Sequence, residues 1–160
     1  MGELRLKKNA FHGQIPIQVS IATNLPWSKI SKNKFGGSIP FGIGQLWNLN
    51  IFLASHNNIS RTIVELTKLS LLLRLSLDHN MLSRELPRTI RSWKILSHLL
   101  LANNGITWSM PTSPGLFPII NFLDLSNNWL SGKIPLELDY LKLNFLNVSS
   151  NLLSGIVPIY

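Results

Sequence analysis

The chain has 160 residues and a formal net charge of +8; 45% of its residues are hydrophobic, 14% are charged and none is cysteine. So apolar a composition excludes a disordered tail and suffices for one domain with a sizeable core. The densest apolar run, Leu69–Leu77, is broken by Arg74, so no stretch of about 18 residues could span a membrane.

In chain order, Met1–Lys8 carries Arg5, Lys7 and Lys8, but no apolar run of about 7–15 residues follows, so no secretory leader is expected. The missing cysteines point either to a reducing compartment or to a piece lacking disulfide-bonded ends. At Asn9 a self-similar pattern begins and runs to the end. Asn9, Asn33, Asn57, Asn80, Asn104, Asn128 and Asn151 are spaced by 24, 24, 23, 24, 24 and 23 residues. Two residues past each anchor stands an apolar residue: Phe11, Phe35, Ile59, Leu82, Ile106, Leu130 and Leu153. Six past it stand Ile15, Ile39, Ile63, Leu86, Met110, Ile134 and Val157. Proline follows at once at Pro16, Pro40, Pro87, Pro111, Pro135 and Pro158, and Val64 takes its place in the third unit.

Before each anchor lies a short alternating segment, cleanest at Leu123-Asp124-Leu125 and Leu146-Asn147-Val148. Alternation at period two reads as a strand with its leucines turned inward. One unit alone cannot bury its apolar face, so the units are expected to stack, with parallel strands about 4.8 Å apart. The anchor Asn then lies inside the coil, where its amide satisfies backbone groups of adjacent turns in a buried ladder. Glycine four residues past the anchor (Gly13, Gly37, Gly132, Gly155) supplies a backbone conformation other residues resist. Arg61, Arg84 and Trp108 replace it in the middle units, where a solvent-pointing side chain and added local strain are expected.

The unit reads L-x-x-L-x-L-x-x-N-x-L-S-G-x-I-P, best kept in Ile120–Pro135. This resembles the plant-specific class of leucine-rich repeat over essentially the whole chain. Ile30–Phe35, Arg91–Lys94, Asn121–Asn128 and Leu141–Asn147 further resemble the last extracellular repeats of HAESA-like receptor kinases. The resemblance implies an α/β solenoid, a right-handed leucine-rich-repeat superhelix with short parallel strands on the concave face and loops or 3-10 turns on the convex face. It implies one domain, 1–160, of about seven repeats, without end caps, membrane helix or kinase. In that family the inner face binds a secreted peptide, a co-receptor docks near the carboxyl-terminal repeats, and two cytoplasmic kinases are brought together. The two arginines that hold the peptide's terminal carboxylate in relatives are expected just upstream of Met1, and no residue of this sequence is assigned that role.

Stacking turns equal offsets into columns. Six before the anchor stand Glu3, Trp27, Ile51, Arg74, His98, Phe122 and Phe145; four before stand Arg5, Lys29, Leu53, Ser76, Leu100, Asp124 and Asn147. Two before come Lys7, Ser31, Ser55, Asp78, Ala102, Ser126 and Ser149, and one before come Lys8, Lys32, His56, His79, Asn103, Asn127 and Ser150. The amino end of this face is basic, and Trp27, Ile51, Phe122 and Phe145 are large for an exposed surface. Aromatic anchors beside positive charge suit an extended peptide with an acidic end. The expected partner-binding residues are Arg5, Lys7, Trp27, Lys29, Ile51, Leu53, Arg74, Ser76, Asp78, His98, Leu100, Phe122, Asp124 and Phe145; a plain alternative is that long side chains simply cover the sheet.

His56 and His79 share a column, but no carboxylate or cysteine is evident beside them, so no metal site is expected. The run Arg84, Arg88, Arg91, Lys94 reads as a solvated outer face. Two sequons, Asn58-Ile59-Ser60 and Asn147-Val148-Ser149, mark Asn58 and Asn147 for glycosylation if the parent is secreted. Phosphate-cradling, kinase and nucleophile-elbow motifs are missing from the sequence, and no nucleic-acid module accompanies the basic charge. The expected function is therefore a peptide- or co-receptor-binding module with no catalysis, no cofactor and no membrane insertion of its own, at the extracellular face of the plasma membrane in its parent. A secreted inhibitor of cell-wall enzymes and a truncated, non-functional product are the alternatives.

Overall fold

The computed structural model describes residues 2–109, 118–136, 138 and 141–157; Met110, Pro111, Pro158 and Tyr160 lie outside them. Two parallel seven-stranded sheets run side by side. The first is built from Leu4–Arg5, Trp27–Lys29, Ile51–Leu53, Arg74–Ser76, His98–Leu100, Phe122–Asp124 and Phe145–Asn147, each paired with the next in that order. Register advances by one unit per strand: Phe52 faces Leu75, Leu75 faces Leu99 and Leu99 faces Leu123. Those central residues are buried, while their neighbours on either side are partly or fully exposed, Ser76 excepted. The inward leucines are therefore aligned, as period-two alternation requires.

The chain leaves each first-sheet strand through a left-handed residue. Lys8, Lys32, His56, His79, Asn103, Asn127 and Ser150 all have φ between 52° and 61°. This turn delivers the anchor Asn into the coil. Asn57 Nδ2 donates to the carbonyls of Ala54 in its own coil (3.0 Å) and Ile30 in the coil before (3.2 Å). Its Oδ1 accepts the Phe35 amide at 3.0 Å. The same three bonds recur at Asn33, Asn80, Asn104, Asn128 and Asn151. Each amide thus recovers in hydrogen bonds the cost of its own burial and ties two coils together.

Past the anchor comes the second sheet, of His12–Gln14, Lys34–Ser38, Asn58–Arg61, Met81–Glu85, Gly105–Ser109, Trp129–Gly132 and Leu152–Leu153. It is staggered, so that Arg61 faces Leu82, Arg84 faces Ile106 and Trp108 faces Leu130. Gly13, Gly37, Gly132 and Gly155 are left-handed, and so are Arg61 (φ 71°) and Arg84 (φ 84°), whose side chains are exposed. Trp108 corrects the expectation for its column: it stays out of the left-handed region and its side chain is buried, 9% exposed, in the core. A large apolar group gains more from burial than a solvent-pointing one would save in strain.

Among the described residues, the return path is a 3-10 turn in four coils, at Ile17–Ile21, Phe41–Gln45, Val64–Lys68 and Arg88–Ser92. Pro16, Pro40 and Pro87 open three of them in extended geometry, each carbonyl accepting the amide three residues on. Proline fits because its fixed φ is already extended and no amide is left to satisfy. Where Val64 replaces it, the extra amide donates to Thr62 Oγ1 at 3.3 Å and Ile63 becomes the cap. Between sheets and turns lies one continuous core, in which Trp93 is fully buried with Nε1 donating to the Leu66 carbonyl at 3.1 Å. Among the described residues, no helix is long and apolar enough to cross a membrane.

Candidate ligand-binding face

The outward positions of the first sheet form the candidate face, and they divide into three groups. At the amino end, Glu3 holds Arg5 at 2.6 Å and Lys29 at 3.1 Å, while Lys29 Nζ sits 5.1 Å from the centre of the Trp27 ring. Hydrogen bonding from Arg5, and then from Lys29, pulls the Glu3 carboxyl down from 4.5 to about 2 despite an opposing desolvation effect. The basic end is thus partly neutralised from within: Arg5 and Lys29 already share a carboxylate. An acidic ligand would displace or join that carboxylate, with Lys7, Lys8 and Lys32 exposed beside it.

The carboxyl-terminal group is an aromatic ladder. His98 stacks on Phe122 at 5.6 Å and Phe122 on Phe145 at 4.2 Å, with rings within 12° of parallel. One coil contributes each ring, so strand spacing sets the stacking distance. Ser97 Oγ lies 2.9 Å from His98 Nδ1. Burial, and then the nearby Arg74 charge, holds the His98 imidazole below its ordinary pKa. Next to the ladder, Asp124 Oδ1 accepts from the Ser126 amide (3.1 Å) and hydroxyl (2.7 Å), and Asn147 Oδ1 accepts likewise from Ser149. Ile51, Leu53 and Leu100 are half-buried, and Arg74 is exposed between the two ends.

The middle group differs from expectation. Ser76 is only 7% exposed; its hydroxyl donates to Asp78 Oδ1 at 2.8 Å, so it serves the carboxylate and is not a contact surface. Ser55 Oγ donates to the same oxygen at 2.6 Å. The expectation that no carboxylate lies beside the two histidines is overturned. Asp78 Oδ2 is 4.0 Å from His56 Nε2, and the His56 and His79 rings stack at 4.2 Å. In the sequence, Asp78 directly precedes His79 and falls one unit after His56, a signal that reading each column separately conceals. Arg84, Arg88, Arg91 and Lys94 are all exposed, away from this face.

The Leucine Rich Repeat family model matches residues 120–141. The Arabidopsis receptor kinase HAESA, solved with the peptide hormone IDA and the co-receptor SERK1, superposes with a TM-score of 0.94 and is 47% identical over 99% of the chain. The chain is a leucine-rich-repeat protein. It spans about a quarter of the HAESA chain, 27% of its length. The plant peptide hormone receptor RGFR1, in complex with RGF2, is 30% identical at a TM-score of 0.92, covering 99% of the chain and 26% of its own. Pollen receptor kinase 3 is 26% identical at 0.83, covering 96% of this leucine-rich-repeat chain and 76% of its own. A comparison with curated proteins yields no match.

Proposed function

We propose that this leucine-rich-repeat chain is a ligand-binding stretch of a plant receptor-kinase ectodomain, taking an extended peptide or a co-receptor along the outward face of its first sheet. The carrying observation is the His98–Phe122–Phe145 ladder: three rings presented in a row on a face whose relatives were solved with peptide hormones. Aromatic groups give contact area at little entropic cost, and their alignment suits a ligand running across the strands. Trp27, with Lys29 over its ring, offers a second anchor at the other end. On this reading, Asn58 carries a glycan on the second sheet, clear of the face, while a glycan on Asn147 would cover it. The chain then works outside the cell, and the kinase of its parent lies in other sequence.

The test transplants these residues into the matching span of the HAESA ectodomain and measures affinity for the IDA peptide and for the SERK1 ectodomain separately. Phe122→Ala with Phe145→Ala, and Trp27→Ala with Lys29→Ala, are each expected to weaken one of the two by about tenfold or more. Unchanged affinity for both partners in both variants would overturn the reading.

A further inference from the structure

The group in the middle of the face is not explained by peptide binding. His56 and His79 occupy the left-handed position of successive coils, both at φ 54°, so their rings leave the backbone in the same direction. That shared geometry stacks them at 4.2 Å and 10°. Asp78 is oriented by two hydroxyls on one oxygen, from Ser55 and Ser76, which leaves Oδ2 turned towards His56. A ligand atom from each of His56, Asp78 and His79 lies within 4.8 Å of the other two. Asn103 Nδ2 lies 3.4 Å from His79 Nε2, a contact that a metal bound through that nitrogen would replace.

Folding alone does not call for this arrangement. The same position holds Lys8, Lys32, Asn103, Asn127 and Ser150 in the other coils, so no imidazole is needed for the turn. A carboxylate fixed by hydroxyl donors beside two exposed imidazoles is the pattern in which neighbouring groups aim metal ligands. We propose that His56, Asp78 and His79 form a three-ligand site for a borderline divalent cation, zinc foremost. Imidazole with carboxylate suits zinc, nickel and copper alike, while calcium and magnesium favour all-oxygen sets. Zinc bonds of about 2.0–2.2 Å in tetrahedral geometry require donors about 3.3 Å apart. Closing from the present spacing takes about an ångström of side-chain rotation, which the two exposed histidines are free to make. The fourth position opens onto the binding face, available to water or to a carboxylate or imidazole of a bound partner. The site does not depend on the peptide-receptor reading, and either can fail alone.

The test is calorimetric titration of the tag-free full chain with zinc chloride, and with cobalt(II) to read the visible spectrum. One zinc per chain at micromolar concentration is expected, with a tetrahedral cobalt absorption. His56→Gln with His79→Gln should abolish both signals, whereas His12→Gln should leave them intact. Ser55→Ala with Ser76→Ala, which removes only the groups aiming Asp78, should weaken zinc by about tenfold. Far-UV circular dichroism confirms that the variants stay folded, and the same titration on the HAESA transplant serves as a second background. Absence of micromolar zinc binding, or binding indifferent to the double histidine substitution, would overturn the proposal.

Discussion

Asn57 and Phe35 lie 22 residues apart in sequence, yet the side chain of one accepts the backbone amide of the other at 3.0 Å. That bond, with the three carbonyls Asn57 also serves, makes the anchor a rivet between coils. Asn57→Ala is expected to cost about 2 kcal/mol, because the buried Phe35 amide loses its acceptor, while the Ile30 and Ala54 carbonyls keep Asn33 and Asn80 as donors. The Asn9 side chain is exposed and, among the described residues, donates only to the Leu6 carbonyl, so Asn9→Ala should cost less than about 1 kcal/mol. Urea unfolding of the two variants side by side measures the contrast, and equal losses would refute it.

Substitution with glycine should act in opposite directions along one column. Arg61 and Arg84 hold the left-handed backbone with exposed side chains, so Arg61→Gly and Arg84→Gly should each stabilise by up to about 1 kcal/mol. Trp108 is buried and not left-handed, and Trp108→Gly should cost about 3–5 kcal/mol. Thermal melts of the three variants give the signs directly.

Ser28 occupies an inward position that Phe52, Leu75, Leu99 and Leu123 fill elsewhere, and it lines an apolar cavity with Leu4, Leu6, Ile15, Val19, Ile30, Phe35 and Phe52. Ser28→Val should raise stability by about 0.5–1 kcal/mol by filling that space. A lower melting temperature for the valine variant would show that the cavity cannot accept the added methyls.

Acid should loosen the amino-terminal coils through Glu3. Its folded pKa, about 2, lies below the ordinary 4.5, because Arg5 first and Lys29 second hold the ionised form. The stabilisation is therefore complete above pH 4.5 and disappears as pH falls towards 2. Carboxyl titration by NMR should place the Glu3 midpoint near the lower value, and Arg5→Ala should move it back up.

Expression through a plant secretory pathway should attach a glycan to Asn58, which is exposed on the second sheet. Peptide mass spectrometry reads the site occupancy, and an unmodified Asn58 in secreted protein would contradict the expectation.

The first sheet was legible because the anchor spacing and the alternation at Leu123–Leu125 carry one message about register. The second sheet was not. Segments such as Lys34-Phe35-Gly36-Gly37-Ser38 have little strand propensity, and their pairing comes from neighbouring coils that are already held in place. The left-handed column was hidden for a similar reason. Asn103 and Asn127 suit that conformation, but Lys8, Lys32, His56 and His79 adopt it under tertiary constraint. On the binding face, the column two before the anchor departs from the outward expectation: Ser31, Ser55, Ala102 and Ser126 are buried, because short side chains there are covered by their neighbours. Pairing between columns stayed invisible: Glu3 with Lys29, Asp78 with His56, and the hydroxyl of Ser76 spent on Asp78.

The first sheet is also a ruler. Seven strands make six steps of about 4.8 Å, so the outer strands stand about 29 Å apart, while an extended peptide advances about 3.3 Å per residue. A ligand laid across the strands meets a fresh coil roughly every one and a half residues, and about nine residues exhaust the whole span. Its side chains therefore drift in and out of phase with the columns, and only a few of them can meet an aromatic ring or a charge squarely.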